Sequence, residues 1–350
     1  VSNRVVLTAL RVNVWTILFS AMFDTKMINP IIRPVNLITM GYSFLLNSVT
    51  GNTTAYGMPV SVSIELTNHC NLRCPECLSG LGLMSRDKGF MEINLFEKII
   101  GELSPYIYNL NLYFQGEPML HPHFFSFLRA SRNVKTTVAT NGHFLSEENA
   151  QRLVISGLNT LIVSLDGMDR QTYSSYRVNG NFDQVMTGIR NVSEAKQKDA
   201  SKMELIIQFL VNRDNENQIP EVRRFAKEID ARLKLKSMQI LNDSSYERWL
   251  PEKKKFRRYE SVGGSYVIKG NLPDRCPRLW FNPVITWDGK VVPCCFDKDA
   301  NHIMGDLKED TFREIWNGPR YRLFRKCIKS GRQLIDICRN CTSGLRGVVS

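Results

Sequence analysis

The sequence predicts an α/β fold with a parallel sheet, followed by a small C-terminal domain. Short apolar runs alternate with helical stretches in six strand–helix units between Val60 and about Leu241. The helices are predicted over residues 92–103, 147–156, 182–198 and 219–229. Nine cysteines fall into two groups, three near residue 70 and the others beyond residue 275, so we expect one large domain and one small domain in 350 residues.

The net charge of +12 includes basic clusters at residues 253–258 and 320–326. Such clusters favour an anionic partner, such as an acidic reductant protein, a phosphorylated substrate or a membrane surface, although a solvated face is the alternative. The sequence contains no phosphate-binding P-loop and no Gly-x-Gly-x-x-Gly fingerprint. No nucleic-acid reader motif accompanies the charge, and we expect no nucleic-acid partner.

Residues 1–57 form an apolar N-terminal arm. Residues 5–23 carry one charge, Arg11, and residues 27–49 are interrupted by Pro30 and Pro34. We expect this arm to lie on a membrane surface or to form part of a substrate channel, with interfacial anchors at Trp15, Phe19 and Phe23. Helices packed onto the domain core and a single spanning helix are the alternatives. No small-residue cleavage site follows the first run, which argues against a signal peptide.

Three cysteines, Cys70, Cys74 and Cys77, follow the first predicted strand in a C-x3-C-x2-C pattern. A closed zinc site takes four ligands, whereas a cubane iron–sulfur cluster held by three cysteines leaves one iron open to bind another molecule. A zinc loop completed by His69 or by a distant cysteine is the alternative. The odd number of thiols favours the iron–sulfur cluster.

Polar residues follow three later strands where each one ends. The run 110–118 ends in Gly116-Glu117-Pro118, the run 134–142 ends in Thr-Asn-Gly, and the run 161–167 ends in Ser-Leu-Asp-Gly. Ligands collect at the carboxyl ends of parallel strands, so we expect these residues to meet at one site.

Together with these strand ends, the cysteine tripod resembles that of the radical S-adenosylmethionine (SAM) enzymes, from about Met58 to Cys341. The resemblance implies a partial, six-stranded (β/α)6 TIM-like barrel over residues 58–241. It also implies a 4Fe–4S cluster whose open iron chelates SAM, and reductive cleavage of SAM to a 5′-deoxyadenosyl radical that abstracts a substrate hydrogen. A linker or lid over 242–271 and a small cluster domain over 272–350 complete the predicted organisation.

The resemblance also assigns SAM-binding roles. Glu117, after Gln115 and Gly116, is expected to accept from the SAM ammonium. Arg177, helped by Ser164, is expected to reach the SAM carboxylate, and the remaining strand-end candidates are Asn141 and Asp166.

Two positions depart from the family pattern. Gln115 replaces the first glycine of a Gly-Gly-Glu-Pro motif. Glu76 stands where the family usually has an aromatic residue beside the adenine, and we expect Gln208 or Val211 to line that side.

The C-terminal cysteines predict a second metal site. Cys338 and Cys341 form a C-x2-C knuckle, and Cys294-Cys295 ends a predicted hairpin over 284–293 with an Asp-Gly turn. A zinc ribbon is one interpretation. With the upstream match, the segment resembles the SPASM or twitch extensions of radical SAM enzymes, which hold auxiliary 4Fe–4S clusters.

The resemblance implies one auxiliary cluster with the ligands Cys276, Cys294, Cys338 and Cys341. Cys294 is preferred over Cys295 because neighbours on a strand point to opposite faces. Cys327 is expected to be a buried thiol on a helix face.

The predicted function is oxidation or rearrangement of a small or lipid-linked substrate by a radical SAM enzyme, with help from the auxiliary cluster. The alternatives are a peptide-modifying SPASM maturase and, more remotely, a non-catalytic iron–sulfur electron-transfer protein. The weak candidates for a catalytic acid or base are Tyr113 and His143. The expected partners are a flavodoxin- or ferredoxin-like reductant and a membrane surface. The expected location is the cytoplasm, peripheral on the membrane's cytoplasmic face, because oxygen-sensitive clusters need a reducing compartment.

Overall fold

The computed structural model describes residues 25–345, and the predicted anchors at residues 5–23 lie outside them. Within the described range one large sheet has the order β11-β10-β9-β1-β2-β3-β4-β5-β6, and a separate hairpin pairs β7 with β8. The strands are β1 Ser61–Ile64, β2 Asn109–Asn111, β3 Lys135–Thr140, β4 Thr160–Ser164, β5 Glu204–Val211, β6 Arg232–Ser237, β7 Tyr259–Val262, β8 Ser265–Ile268, β9 Val284–Ile285, β10 Lys290–Val292 and β11 Gly305–Asp306.

Strands β1 to β6 are parallel neighbours in chain order, which agrees with six strand–helix units. The helices are α1 Thr25–Thr50, α2 Leu78–Leu81, α3 Ile93–Leu103, α4 Phe124–Ala130, α5 Glu147–Ile155, α6 Arg170–Tyr176, α7 Phe182–Lys198, α8 Ile219–Glu228, α9 Tyr246–Trp249, α10 Pro277–Phe281, α11 Phe312–Trp316, α12 Pro319–Gly331 and α13 Asp336–Arg339. The four helices predicted from the sequence correspond to α3, α5, α7 and α8. This partial TIM-like barrel therefore matches the predicted fold class.

Side-chain caps fix where the barrel helices begin. The Ser146 hydroxyl accepts from the Asn149 amide at the start of α5, and the Asn181 side chain accepts from Gln184 at the start of α7. These caps satisfy amides that the first helical turn leaves without partners. Each helix therefore starts at a defined distance from the strand end before it.

Side chains along each strand point alternately to an outer face, under the helices, and to the barrel interior, which we call the lumen. On β5 the residues Leu205, Ile207 and Phe209 are almost fully buried in the hydrophobic core, whereas Gln208 between them is only partly buried. Successive side chains of a strand point to opposite faces, so one set packs under the helices and the other lines the barrel interior. The interior face is mixed, since Ser63, Asn111 and Gln208 lie on it by register together with Ile162 and Ile206.

The C-terminal domain continues the barrel sheet. Strand β9 pairs in parallel with β1, and β10 and β11 extend the sheet as antiparallel neighbours. The turn between β9 and β10 has Gly289 at φ +90°, as the Asp-Gly signal predicts. The two domains therefore share one sheet, and the second cysteine group is anchored beside the first strand.

Helix α1 runs unbroken from Thr25 to Thr50, so Pro30 and Pro34 do not interrupt it as the sequence suggested. Its inner face is fixed to the barrel by polar contacts. The Arg33 guanidinium donates to the carbonyls of Ser104 at 3.0 Å and Asn133 at 2.7 Å, and the Asn36 amide exchanges two bonds with the Met58 backbone. Among the described residues, the inner face of α1 therefore packs onto the barrel, as one of the alternatives for the arm predicted.

The outer face of α1 is apolar and open. Its exposed residues recur at alternating steps of four and three, at Ile31, Val35, Ile38, Tyr42, Leu45 and Val49. This spacing forms one stripe along the helix. Among the described helices, none combines the length and the hydropathy needed to cross a membrane.

The segment 242–271 is a folded cover and not a plain linker. It contains helix α9 and the β7–β8 hairpin, and its Tyr246, Trp249 and Tyr259 are buried. These aromatic residues belong to one hydrophobic cluster with Leu72 and Cys74. The segment therefore packs directly on the cysteine tripod loop.

Candidate active site at the carboxyl ends of the barrel strands

The tripod loop leaves β1 and ends at the short helix α2. Cys74 is buried, whereas Cys70 and Cys77 are partly exposed. The Leu72 amide donates to the Cys70 sulfur at 3.5 Å, and the Arg177 guanidinium approaches the Cys74 sulfur at 3.8 Å. Burial raises the pKa of Cys70 to about 11, so the loop favours thiolates only when a metal centre supplies positive charge.

His69 does not join the three thiols. Its ring stacks on Phe90, with 4.7 Å between the ring centroids. The structure thus gives no support to a zinc loop with His69 as the fourth ligand. Three thiols that share one loop and lack this fourth ligand suit a cluster with an open iron.

The Gly-Glu-Pro turn packs against the start of the tripod loop. Gly116 has φ +73°, and a Cβ there would lie 2.6 Å from the backbone oxygens of His69 and Thr67. The Glu117 amide donates to the His69 carbonyl at 2.8 Å. Only glycine fits this approach, so the end of β2 is held directly beside Cys70.

Glu117 is fully buried and connects the end of β2 to the end of β3. Its carboxylate accepts from the Thr140 hydroxyl at 2.8 Å, the Asn141 amide at 2.7 Å and the Met119 amide at 3.1 Å. Burial raises the pKa of Glu117 to about 7, against the opposing effect of these bonds. A carboxylate can accept about four hydrogen bonds, so acceptor capacity remains for a ligand ammonium.

Gln115, which replaces the family glycine, has a partner near the tripod. The Ser79 hydroxyl lies 3.2 Å from the Gln115 side-chain oxygen and 3.2 Å from the Gly116 amide. Ser79 lies in α2, two residues after Cys77. Gln115 therefore links the end of β2 to the last cysteine of the tripod.

Asn141 links the end of β3 to the tripod loop. Its side-chain nitrogen donates to Asn71 at 2.8 Å, and its oxygen accepts from the amide of His143 at 3.1 Å and lies 3.0 Å from that ring's Nδ1. His143 Nε2 accepts from the Asn181 amide at 2.8 Å. Both ring nitrogens are thus engaged, and burial lowers the pKa of His143. These bonds suit a neutral positioning group, and the acid–base role of His143 remains a prediction.

Arg177 is held beside the tripod by a buried ion pair. Its guanidinium Nε donates to the Asp166 carboxylate at 2.6 Å, and the other carboxylate oxygen accepts from the Leu210 amide at 2.7 Å. This pair leaves Arg177 Nη1 directed toward Cys74. The assignment of Arg177 to the SAM carboxylate remains a prediction that this position supports.

The two residues proposed for the adenine side differ in orientation. Gln208 pairs with Ser164 and faces the lumen, whereas Val211 is fully buried in the hydrophobic core. Val211 is therefore a wrong choice for that role. Glu76 is also buried, and its carboxylate accepts from the Leu241 amide at 2.6 Å. It connects the tripod to the chain after β6, a contact that its sequence context does not reveal.

The C-terminal domain brings four cysteines around one small space. Cys276, Cys294, Cys338 and Cys341 line one small cavity, and its other lining residues include no carboxylate. The Arg332 guanidinium, fully buried, donates to the Cys341 sulfur at 3.2 Å, and the Ser343 amide donates at 3.3 Å. Such donors stabilise thiolate sulfur in iron–sulfur sites. The residues present therefore fit an auxiliary cluster.

Cys295 and Cys327 lie outside this group of four. The Arg278 guanidinium donates to the Cys295 sulfur at 3.1 Å, and the charge of that sulfur acts on Tyr113, which lies just beyond β2. Cys294 thus lines the cavity, whereas Cys295 is not among its lining residues. Cys327 is exposed on α12, so the expectation of a buried thiol there is wrong.

The loop after the C-terminal hairpin reaches the tripod side of the barrel. Burial lowers the pKa of Lys298, while both Cys77 and Cys295 act to raise it. Lys298 follows the hairpin that carries Cys294 and Cys295, and the next residue, Asp299, accepts from the Ser85 amide at 2.8 Å. The loop after the hairpin therefore closes over the tripod side of the barrel.

Comparison with known proteins agrees with this arrangement. A family model described as the radical SAM superfamily matches residues 64–226, and one described as the SPASM iron–sulfur cluster-binding domain matches residues 276–342. A tungsten-containing aldehyde ferredoxin oxidoreductase cofactor-modifying protein from Pyrococcus furiosus is 25% identical over 312 residues, which is 80% of this chain and 86% of that protein.

A PqqA peptide cyclase from Gluconobacter oxydans is 26% identical over 312 residues, covering 81% of this chain and 82% of the cyclase. The crystal structure of Streptococcus suis SuiB bound to S-adenosylmethionine superposes with a TM-score of 0.59 at 16% identity, covering 81% of this chain and 72% of SuiB. This structural similarity establishes the fold.

Proposed function

Because the chain belongs to the radical SAM superfamily and carries a SPASM domain, we propose that it is an enzyme that modifies a peptide by SAM-dependent radical chemistry. Its radical SAM domain takes SAM and a 4Fe–4S cluster, and its SPASM domain takes auxiliary iron–sulfur clusters. When bound, these groups supply reductive cleavage of SAM and a nearby site for electrons.

The observation that carries the proposal is that the auxiliary site is joined to the barrel beside the tripod loop. Strand β9 of the hairpin that leads to Cys294 pairs with β1, and Asp299, after that hairpin, accepts from the Ser85 amide, after the tripod, at 2.8 Å. A substrate at the carboxyl ends of the barrel strands would therefore lie close to both sites. This position suits hydrogen abstraction on one side and electron removal on the other, a net oxidation.

Residues of this chain can be proposed for each function in this scheme. Cys70, Cys74 and Cys77 would hold the first cluster, and Cys276, Cys294, Cys338 and Cys341 the auxiliary one. Glu117 would bind the SAM ammonium and Arg177 its carboxylate. The cover at 242–271, which packs on Leu72 and Cys74, excludes water from the reacting centre.

A peptide is preferred over a small or lipid-linked substrate because a relative that matches four fifths of the chain is a peptide cyclase. The Pyrococcus relative, a cofactor-modifying protein, is the specific observation that favours a small molecule instead. The two substrate classes, peptides and small molecules, can be compared directly when both are offered to the enzyme in the same assay.

The test is SAM cleavage by the reconstituted, reduced enzyme under anaerobic conditions. We expect a pool of synthetic octapeptides to raise the rate of 5′-deoxyadenosine release and to yield peptides of altered mass. Cys70→Ala should abolish both signals while it retains the auxiliary iron. Peptides that leave the rate and their own mass unchanged, beside a small molecule that is converted, would refute the peptide assignment.

We further propose that the outer face of α1 binds a membrane surface. The apolar stripe from Ile31 to Val49 is exposed, and Arg33 on the same helix is tied to the barrel, which keeps the stripe pointing outward. Flotation with anionic vesicles should recover the full chain, whereas Ile38→Glu with Leu45→Glu should leave it at the bottom. Equal flotation of both proteins would refute membrane binding by this face.

The reductant is proposed to be an acidic flavodoxin- or ferredoxin-like protein. The basic cluster at 320–326 offers it exposed cations at Arg320, Arg322 and Lys326. Arg325 in the same run is unavailable, since it is fully buried between the rings of Trp280 and Trp316. Complementary charge of this kind mainly raises the association rate, and the effect falls with salt.

A further inference from the structure

The barrel lumen carries a line of basic residues on its last strand. In register, Lys234 pairs with Gln208 and Lys236 with Leu210, and Gln208 in turn pairs with Ser164. These residues therefore lie on the lumen face and not under the helices. Both lysines are partly buried, so they face the space where a substrate would lie.

The C-terminal domain and the cover at 242–271 add cations to the same space. Burial lowers the pKa of Lys236 to about 8, and the charges of Lys234, of Arg278 in the C-terminal domain and of Arg258 in the cover act in the same direction. Lys298 approaches from the loop after the hairpin, where Arg258 also acts on it. Cations from three separate parts of the chain thus converge on one side of the lumen.

Acidic groups do not balance this charge. Arg278 contacts the Cys295 sulfur, and Arg258 donates to the Asn340 carbonyl at 3.4 Å. Within residues 25–345, the side chains of Lys234, Lys236 and Lys298 take part in no ion pair and no hydrogen bond. The carboxylate that acts on Lys298 is Glu76, which already accepts from the Leu241 amide.

Partly buried cations without counter-charges are costly unless a ligand supplies the anion. A cluster at the four C-terminal cysteines has its own donor in the buried Arg332. The lysines of β6 are therefore available to bind an anionic group of a molecule that lies in the lumen. Their flexible ammonium groups suit a carboxylate as a point charge.

We propose that Lys234, Lys236 and Lys298 form an anion subsite that binds an acidic side chain, Asp or Glu, of the peptide substrate. The subsite rests on the proposed function, which it deepens by naming the residue type that enters the lumen. It also explains why the lumen side of β6 is basic while the facing strands carry neutral polar groups at Ser164 and Gln208.

The test is affinity selection from a pool of random synthetic octapeptides, read by mass spectrometry, with the reconstituted enzyme and SAM. The wild type should enrich peptides that contain Asp or Glu about tenfold over those with Asn or Gln, which corresponds to about 1.4 kcal/mol. Lys234→Met with Lys236→Met should abolish this enrichment, and Lys298→Met should reduce it. Lys236→Arg should restore most of it, because the charge is kept.

The matched control is Lys202→Met with Lys227→Met, which removes the same charge from exposed positions and should retain the enrichment. Enrichment without acidic preference, or an unchanged preference in the β6 double variant with its iron content intact, would overturn the subsite. A parallel titration with inorganic diphosphate distinguishes a peptide carboxylate from a phosphorylated molecule as the ligand of these lysines. Lysine-dependent diphosphate binding with no peptide selected would overturn the peptide as substrate and assign the cations to a phosphorylated molecule.

Discussion

At the scale of single residues, Glu117 shows how one carboxylate serves both structure and chemistry. It is fully buried and bonded to the ends of two strands, yet it has acceptor capacity left toward the lumen. Burial raises its pKa to about 7. Its charge, and with it any bond to an ammonium, therefore depends on pH near neutrality.

SAM affinity should consequently fall as the pH is lowered through 7. The raised pKa means that Glu117 is charged above about pH 7 and neutral below it, and only the charged form pairs with an ammonium. We expect the Kd for SAM, measured by anaerobic equilibrium dialysis, to rise about tenfold per pH unit below 7. Glu117→Gln should bind weakly without this dependence, and Glu147→Gln, an exposed control, should behave as the wild type. A flat wild-type profile would contradict the assignment.

The adjacent cysteines Cys294 and Cys295 give a second prediction at this scale. Cys294 lines the four-cysteine cavity, whereas Cys295 is not among its lining residues and its sulfur accepts from Arg278. Cys294→Ala should therefore lose about four irons per chain, and Cys295→Ala should retain them. Iron analysis with EPR of the reduced protein distinguishes the two. Loss of the auxiliary signal in Cys295→Ala alone would show that the ligand was chosen wrongly.

At the scale of elements, the loop after the tripod and the C-terminal hairpin interlock. A Cβ on Gly89 would lie 2.4 Å from the Trp287 ring, and the Trp287 indole donates to the Asp87 carbonyl at 3.2 Å. The Glu65 carboxylate, which is buried and paired with Arg86, also accepts from the Trp287 amide. These contacts fix the position of the SPASM domain on the barrel.

Gly89→Ala should therefore destabilise the protein by about 1–3 kcal/mol, because the ring must move from a packed position. Gly101→Ala on α3 is the control, since nothing lies within 4 Å of the added methyl group, and it should be neutral or stabilise by about 0.5–1 kcal/mol. Denaturant unfolding of both variants measures the difference. If Gly89→Ala were as stable as the wild type, the Trp287 ring would not be tightly packed against this loop.

The elements themselves could largely be predicted from the sequence. Periodicity placed the four barrel helices, and the Asp-Gly pair placed the β9–β10 turn, because these signals are local. The continuous α1 was missed since Pro30 and Pro34 usually break a helix, while contacts far along the chain, from Arg33 to Ser104 and Asn133, hold it in place.

The site was predicted unevenly for the same reason. Cysteine spacing and strand-end motifs are visible in the sequence, and the structure places them together. Lys236, Lys298 and Glu76 were not assigned to the site, because their roles depend on register between β5 and β6 and on the docking of the C-terminal domain. Cys327 was misjudged because helix phase alone does not show which face is covered.

At the scale of the whole molecule, one sheet unites the two domains. Strand β9 pairs with β1, so the hairpin that leads to Cys294 lies beside the strand that leads into the tripod loop. The proposed coupled oxidation depends on this arrangement, since it requires a substrate close to both clusters.

The most direct test is iron content with EPR on the anaerobically reconstituted, reduced chain, with and without SAM. The account predicts about eight irons per chain, with one signal that SAM perturbs and that Cys74→Ala removes. A second signal should be unaffected by SAM and lost in Cys338→Ala. About four irons with zinc in the C-terminal domain would contradict the account, because the auxiliary electron acceptor would be absent.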